Sequence, residues 1–66
     1  MLRELARRSG DGLVVRLFWD SERNQTVLTY RDRRTGERFG IDVPNARALH
    51  AFEHPAVFRP AQSYAA

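Results

Sequence analysis

The sequence predicts a small α+β domain: a three-stranded antiparallel β-meander with one C-terminal helix packed on one face (β-β-β-α). Three short runs rich in β-branched and aromatic residues alternate apolar with polar side chains, and turn-forming residues separate them. A fourth run has apolar residues at helical spacing and ends at a proline. The chain has 66 residues and no cysteine, so we expect one domain without a disulfide.

The first 12 residues predict a flexible N-terminal arm. Leu2, Leu5 and Ala6 have helical spacing, but an isolated helix this short is marginal in water. The sequence Ser-Gly-Asp-Gly then interrupts it. We therefore expect the β-β-β-α domain to occupy residues 13–58, followed by a frayed C-terminal tail, 59–66.

The three alternating runs predict strands at 13–20, 25–31 and 37–43, with turns at 21–24 and 33–36. These turns place Leu17 opposite Leu28 and Leu28 opposite Ile41, so all three strands turn their apolar side chains to the same face. A shift of one residue would separate the apolar sets, which supports this register. Asn24 and Gly36 are the turn residues expected to adopt a left-handed conformation.

Residues 44–55 predict the helix that covers this face. Pro44 suits a first helical turn, and Asn45 suits a cap. Ala46, Leu49 and Phe52 then share one side of the helix. The predicted centre of the core is Leu17, Leu28, Tyr30, Ile41, Leu49 and Phe52.

The sequence His-Ala-Phe-Glu-His at 50–54 has the spacing of inverted zinc peptidases, in which two histidines hold the metal beside a general base. Such a site needs a third ligand downstream, and no Asp, Glu, His or Cys follows His54. Pro55 also biases His54 away from helical geometry. We therefore interpret the motif as a helix C-terminus, where imidazoles can reach free carbonyls, and predict no metal and no cofactor.

Charge and composition narrow the functional classes. The net charge is +3, and all 11 basic residues are arginine. Arginine binds phosphate and carboxylate bidentately, although a GC-rich genome would also produce this usage. No Gly-rich phosphate loop, catalytic triad, signal peptide or membrane-length apolar run is present. We expect a cytoplasmic protein that is not an enzyme and has no small-molecule substrate.

Four motifs occur in order within residues 13–66: an apolar strand ending in Trp, an Arg-Thr-Gly-Glu hairpin, a Val-Pro helix start and an Ala-Phe-x-His-Pro helix end. The positions that carry the resemblance are Trp19, Arg34, Thr35, Gly36, Val43, Pro44, Ala48, Leu49, Ala51, Phe52, His54 and Pro55. With these motifs the chain resembles a set of short uncharacterised proteins of high-GC actinobacteria. The resemblance implies the same fold and carries no function. Those proteins do not characteristically have a histidine at position 50, which argues further against zinc.

The face opposite the helix is the candidate interaction face. Its predicted members are Val14, Arg16, Phe18, Val27, Thr29, Arg31 and Arg38. Arg31 is expected directly opposite Arg38, and like charges in this position are destabilising unless a partner compensates them. We expect an interaction module that forms a homodimer or docks a protein partner, through this face or a strand edge. The alternative is a nucleic-acid binder in which the arginines hold phosphates and Phe18 stacks on a base.

Overall fold

The computed structural model describes residues 1–60, which form one antiparallel sheet and a short helical segment. The sheet contains four strands in the order β1-β2-β3-β4. They are β1 (Leu2–Gly10), β2 (Leu13–Asp20), β3 (Gln25–Asp32) and β4 (Arg38–Val43). The helix α1 (Ala48–Glu53) lies between two 3-10 turns, Asn45–Arg47 and Pro55–Phe58. No helix within residues 1–60 is long and apolar enough to cross a membrane.

The prediction of a three-stranded meander is wrong, because residues expected in a flexible arm form the fourth strand, β1. A two-residue turn connects β1 to β2, with positive φ at both Asp11 (53°) and Gly12 (82°). Asp-Gly favours this turn because both residues tolerate positive φ. Hairpins favour the turn because its twist matches that of the flanking strands. The pairing of β1 with β2 shifts register between Glu4 and Ala6. This β-bulge breaks the two-residue alternation and produces apolar spacing that imitates a helix.

The register predicted for the other three strands is confirmed. Leu17 pairs with Leu28, and Leu28 pairs with Ile41. The turns also behave as expected, with positive φ at Asn24 (53°) and Gly36 (80°). The face predicted to be apolar therefore forms the core side of β2, β3 and β4.

The core lies between this face and α1. Its buried apolar residues are Val15, Leu17, Leu28, Tyr30, Phe39, Val43 and Ala51. Tyr30 and Phe39 stack with their ring centroids 4.9 Å apart. Ile41 and Phe52, two residues predicted at the centre, are only partly buried at its margin.

Leu49 was predicted in the core and is instead 67% exposed. The residue of α1 that packs on the sheet is Ala51, which is fully buried. Successive residues of an α-helix are rotated by roughly 100°, so Leu49 lies on the side away from Ala51. Asn45 does not cap a helix either: its side-chain oxygen accepts hydrogen bonds from Thr26 N–H (3.0 Å) and Thr26 Oγ1 (2.8 Å).

The chain continues past α1 along the covered side of the sheet. Arg59, expected in the frayed tail, has its Nε 2.7 Å from Glu37 Oε2. Its guanidinium carbon lies 5.9 Å from the ring centroid of Tyr30. The remainder of the predicted tail, 61–66, lies outside the described residues.

Candidate interaction face

The side of the sheet opposite α1, called the open face, presents its side chains in rows across the strands. The rows are Ser9–Val14–Arg31–Arg38, then Arg7–Arg16–Thr29–Gly40, then Glu4–Phe18–Val27–Asp42. All seven residues predicted for this face are therefore neighbours on it. The apolar ones are half-buried, whereas Arg31 and Arg38 are exposed.

Strand β1 adds members to the open face that the sequence analysis missed. Glu4 is placed beside Phe18, and Arg7 beside Arg16. A groove of about 630 Å³ is lined by Arg7 and Leu2 of β1 together with residues of β2, β3 and β4. The Asp-Gly sequence at residues 11 and 12 is the signal that would have found them, because it predicts a hairpin and hence a strand before it.

Arg16 is engaged within the chain. Its Nε donates a hydrogen bond to Glu4 Oε1 over 2.6 Å. Its guanidinium carbon also lies 4.6 Å from the ring centroid of Phe18, within the range of a cation–π contact. The aromatic ring expected to stack on a base thus already carries a cation on one side.

Arg23 neutralises the acidic end of the open face. Its Nε lies 2.7 Å from Asp20 Oδ2, and its two terminal nitrogens lie 2.8 and 3.0 Å from the oxygens of Asp42. Hydrogen bonds from this guanidinium hold the pKa of Asp20 and of Asp42 below its ordinary value. Both carboxylates of this end therefore already bind an arginine of the same chain.

Three arginines around the groove lack an acidic partner among residues 1–60. Arg7, Arg31 and Arg33 form no ion pair within the part of the chain that the structure describes. By contrast, Arg34 of the neighbouring turn donates to both oxygens of Asp32, over 3.2 Å in each case, and lowers the pKa of that carboxyl. Positive charge therefore accumulates around Val14 at one end of the open face. A ligand with carboxylates or phosphates would complement it.

The two histidines lie at the end of α1, away from the open face. Their ring centroids are 5.1 Å apart, and the rings of His50 and Phe58 form a T-shaped contact with centroids 5.7 Å apart. His54 has left the helix, with φ −133° and ψ 61°, and its N–H donates to the carbonyl of His50 over 2.8 Å. No group of three metal-ligating side chains occurs among residues 1–60.

Comparison of the chain with protein-family models, with curated proteins and with solved structures gave no match. Inference about function therefore depends on the geometry and charge of the open face. What this face offers chemically is a set of arginine side chains beside a small apolar surface.

Proposed function

We propose that the protein is a small interaction module, and not an enzyme, which docks a protein partner through its open face. The observation that supports this proposal is that Arg7, Arg31 and Arg33 surround one groove and form no ion pair within residues 1–60. Holding several guanidinium groups together without acids is unfavourable, and a partner's carboxylates relieve this repulsion. A cytoplasmic location is part of the proposal, since a small chain without cysteine needs no oxidising compartment.

The apolar part of the open face supports a protein partner. Val14, Phe18 and Val27 are half-buried on this side of the sheet, next to the arginines. Covering them stabilises a complex by about 25 cal/mol for each Å² of apolar surface removed from water. Aromatic residues and arginine are also enriched at protein interfaces. The expected partner segment therefore combines acidic side chains with a few apolar ones.

Nucleic acid is the second candidate, because the same arginines suit phosphate. Two features make it the weaker one. Sheets that bind single-stranded RNA stack two or three bases on aromatic side chains, whereas Phe18 is the one aromatic residue whose side chain the register places on the open face. The guanidinium of Arg16 already lies over that ring.

A binding titration with two probes tests the choice of partner. The first probe is a fluorescein-labelled peptide in which glutamate alternates with leucine and phenylalanine, and the second is an oligothymidylate of equal formal charge. Fluorescence anisotropy is measured at low salt and then with rising salt. We expect the peptide to bind more tightly. A nucleic-acid function predicts instead that the oligonucleotide binds and that its log affinity falls by about 0.7 per phosphate contact for each tenfold rise in salt.

Matched variants locate the site. Replacing both Arg7 and Arg31 by Gln should weaken peptide binding about tenfold or more, since each loses a charge-assisted hydrogen bond. Replacing both Arg3 and Arg47 by Gln removes the same charge elsewhere and should change affinity about twofold at most. Equal losses in both variants would mean non-specific attraction and would contradict docking at the open face. So would failure of both probes to bind at low salt.

A further inference from the structure

The outer edge of β4 carries main-chain groups that no strand of residues 1–60 pairs with. Across the inner edge, the N–H of Asp32 donates to the carbonyl of Glu37 over 2.7 Å. Hydrogen bonding alternates along an antiparallel strand, so Phe39 and Ile41 also direct their main-chain groups towards β3. The N–H and C=O groups of Gly40 and Asp42 therefore point away from the sheet, as does the main chain of Arg38.

The two edges of the sheet differ in their protection against pairing. β1 contains a bulge between Glu4 and Ala6 and carries three arginines, both of which discourage the addition of another strand. β4 pairs with β3 without interruption from Arg38 to Val43. Gly40 lies near its middle, and no proline interrupts the row of outward N–H groups. β4 is thus the edge that can accept a strand.

We propose that a second copy of this chain pairs with the β4 edge, antiparallel and about a twofold axis at Gly40. This register places Gly40 opposite Gly40 and Arg38 opposite Asp42, so each pair joins residues whose main-chain groups point outwards. The twofold axis repeats the pair of Arg38 with Asp42, giving two cross-strand ion pairs of opposite charge. Shifting the register by two residues in either direction removes both ion pairs.

The side chains present can make these contacts. Asp42 holds Arg23 through one bond to each oxygen, and each carboxylate oxygen has a second lone pair. Arg38 has five N–H donors and can add this contact to others. On the covered side the same register sets Phe39 opposite Ile41 of the second copy, which adds apolar contact next to the core.

The resulting dimer would be one continuous sheet with both open faces on the same side. It goes beyond the proposed function, because it uses the main chain of the β4 edge; Arg38 and Gly40 also line the groove, whereas Arg7 and Arg31, the residues varied in the peptide test, do not enter the dimer contact. The two ideas can therefore fail separately. A monomer could still bind the acidic peptide, and a dimer could bind neither probe.

Main-chain pairing is tested by a matched pair of substitutions at Gly40. A Cβ atom at this position meets nothing closer than 3.7 Å, so Gly40→Ala leaves the fold and the N–H intact. Gly40→Pro removes the outward N–H, and proline is tolerated on edge strands where this group faces solvent. Sedimentation equilibrium is measured from about 1 μM to about 1 mM, with circular dichroism as the control for folding. We expect wild type and Gly40→Ala to dimerise alike, and Gly40→Pro to dissociate at least about tenfold more readily.

Charge exchange tests the register. Arg38→Asp alone and Asp42→Arg alone each set like charges opposite one another twice, and we expect dimerisation to weaken about tenfold. Mixing the two variants sets aspartate against arginine at both positions and should produce a heterodimer. The double variant should self-associate again.

Three results would overturn the proposal. One is a wild-type protein that stays monomeric at the highest concentration. Another is a dimer that folded Gly40→Pro leaves unchanged. The third is a pair of single charge variants that fail to associate when mixed, since the twofold register requires that they do.

Discussion

Strand β1 and the meander β2–β4 belong to one sheet but are stabilised in different ways. In the meander, alternate side chains enter the core, and Val15 and Leu28 are completely buried. In β1 every residue except the half-buried Ala6 is exposed. β1 is held by its main-chain pairing and by polar contacts, including the bond between Glu4 and Arg16. A strand can thus complete one face of a sheet while contributing little to the core.

The largest expected effect comes from removing the same side chain in the two regions. Leu28→Ala should lower the free energy of unfolding by about 2–5 kcal/mol, because it leaves a cavity in the core. Leu5→Ala, at a position 47% exposed in β1, should change it by about 0.5 kcal/mol or less. Urea denaturation followed by tryptophan fluorescence measures both. Equal losses would mean that β1 packs into the core as the meander does.

The second largest effect should come from low pH, which should destabilise the meander. Asp20, Asp32 and Asp42, one on each of its strands, have pKa values below the ordinary 3.8, chiefly through hydrogen bonds from Arg23 or Arg34. The unfolded chain therefore takes up protons first as the pH falls. Stability from these pairs should be complete well above pH 3.8 and be lost progressively below it. Thermal melts across this range measure the loss.

The matched variant is Asp32→Asn. It should reduce the difference in melting temperature between neutral and acid pH, because one of the shifted carboxyls is gone. A melting temperature that does not fall below pH 3.8, or that rises there, would contradict the ion pairing described for Arg34 and Asp32.

A smaller loss in the free energy of unfolding should follow from removing the hydrogen bonds between β1 and α1. The side chain of Arg8 donates to the carbonyls of Phe52 (3.1 Å) and Glu53 (3.3 Å) at the end of α1. Both bonds are exposed to solvent, so Arg8→Ala should cost about 0.5–1.5 kcal/mol in all, the low end for two hydrogen bonds. Arg3→Ala is the control on the same strand, since Arg3 makes no such bond in residues 1–60. Indistinguishable unfolding curves for the two variants would refute this link.

The contrast between the regions also explains what the sequence could predict. The register of β2, β3 and β4 followed from alternation, because each strand has one buried side and a one-residue shift would expose it. The seven residues predicted for the open face lie together for the same reason. β1 buries too few side chains for apolar and polar residues to alternate along it, and its bulge changes the spacing of Leu2, Leu5 and Ala6.

Side-chain pairing was harder to predict than strand register. The contact of Arg23 with Asp42 joins residues 19 apart in the chain and depends on how a turn folds over the end of the sheet. Leu49 was misplaced because the segment begins as a 3-10 turn, and the short α1 then turns Ala51 to the sheet. Neither feature follows from local periodicity.

Zinc should have the smallest effect of all. His50 and His54 lie together, but no third ligand joins them among residues 1–60. We therefore expect equimolar zinc to leave the thermal midpoint nearly unchanged. Zinc at a hundred times the dissociation constant of a genuine site would add about 2.7 kcal/mol. A stabilisation of that size, abolished by His50→Ala, would contradict this interpretation of the histidines.

The most direct test concerns β1, because this strand brings Glu4 and Arg7 to the open face. Nuclear Overhauser contacts between backbone protons distinguish a paired strand from a flexible arm. The structure predicts contacts between Glu4 and Phe18 and between Arg8 and Val15. Backbone amides of β1 should be protected against hydrogen exchange, but less strongly than those of β3. Random-coil chemical shifts for residues 2–10, without contacts to β2, would contradict the four-stranded sheet and the open face built on it.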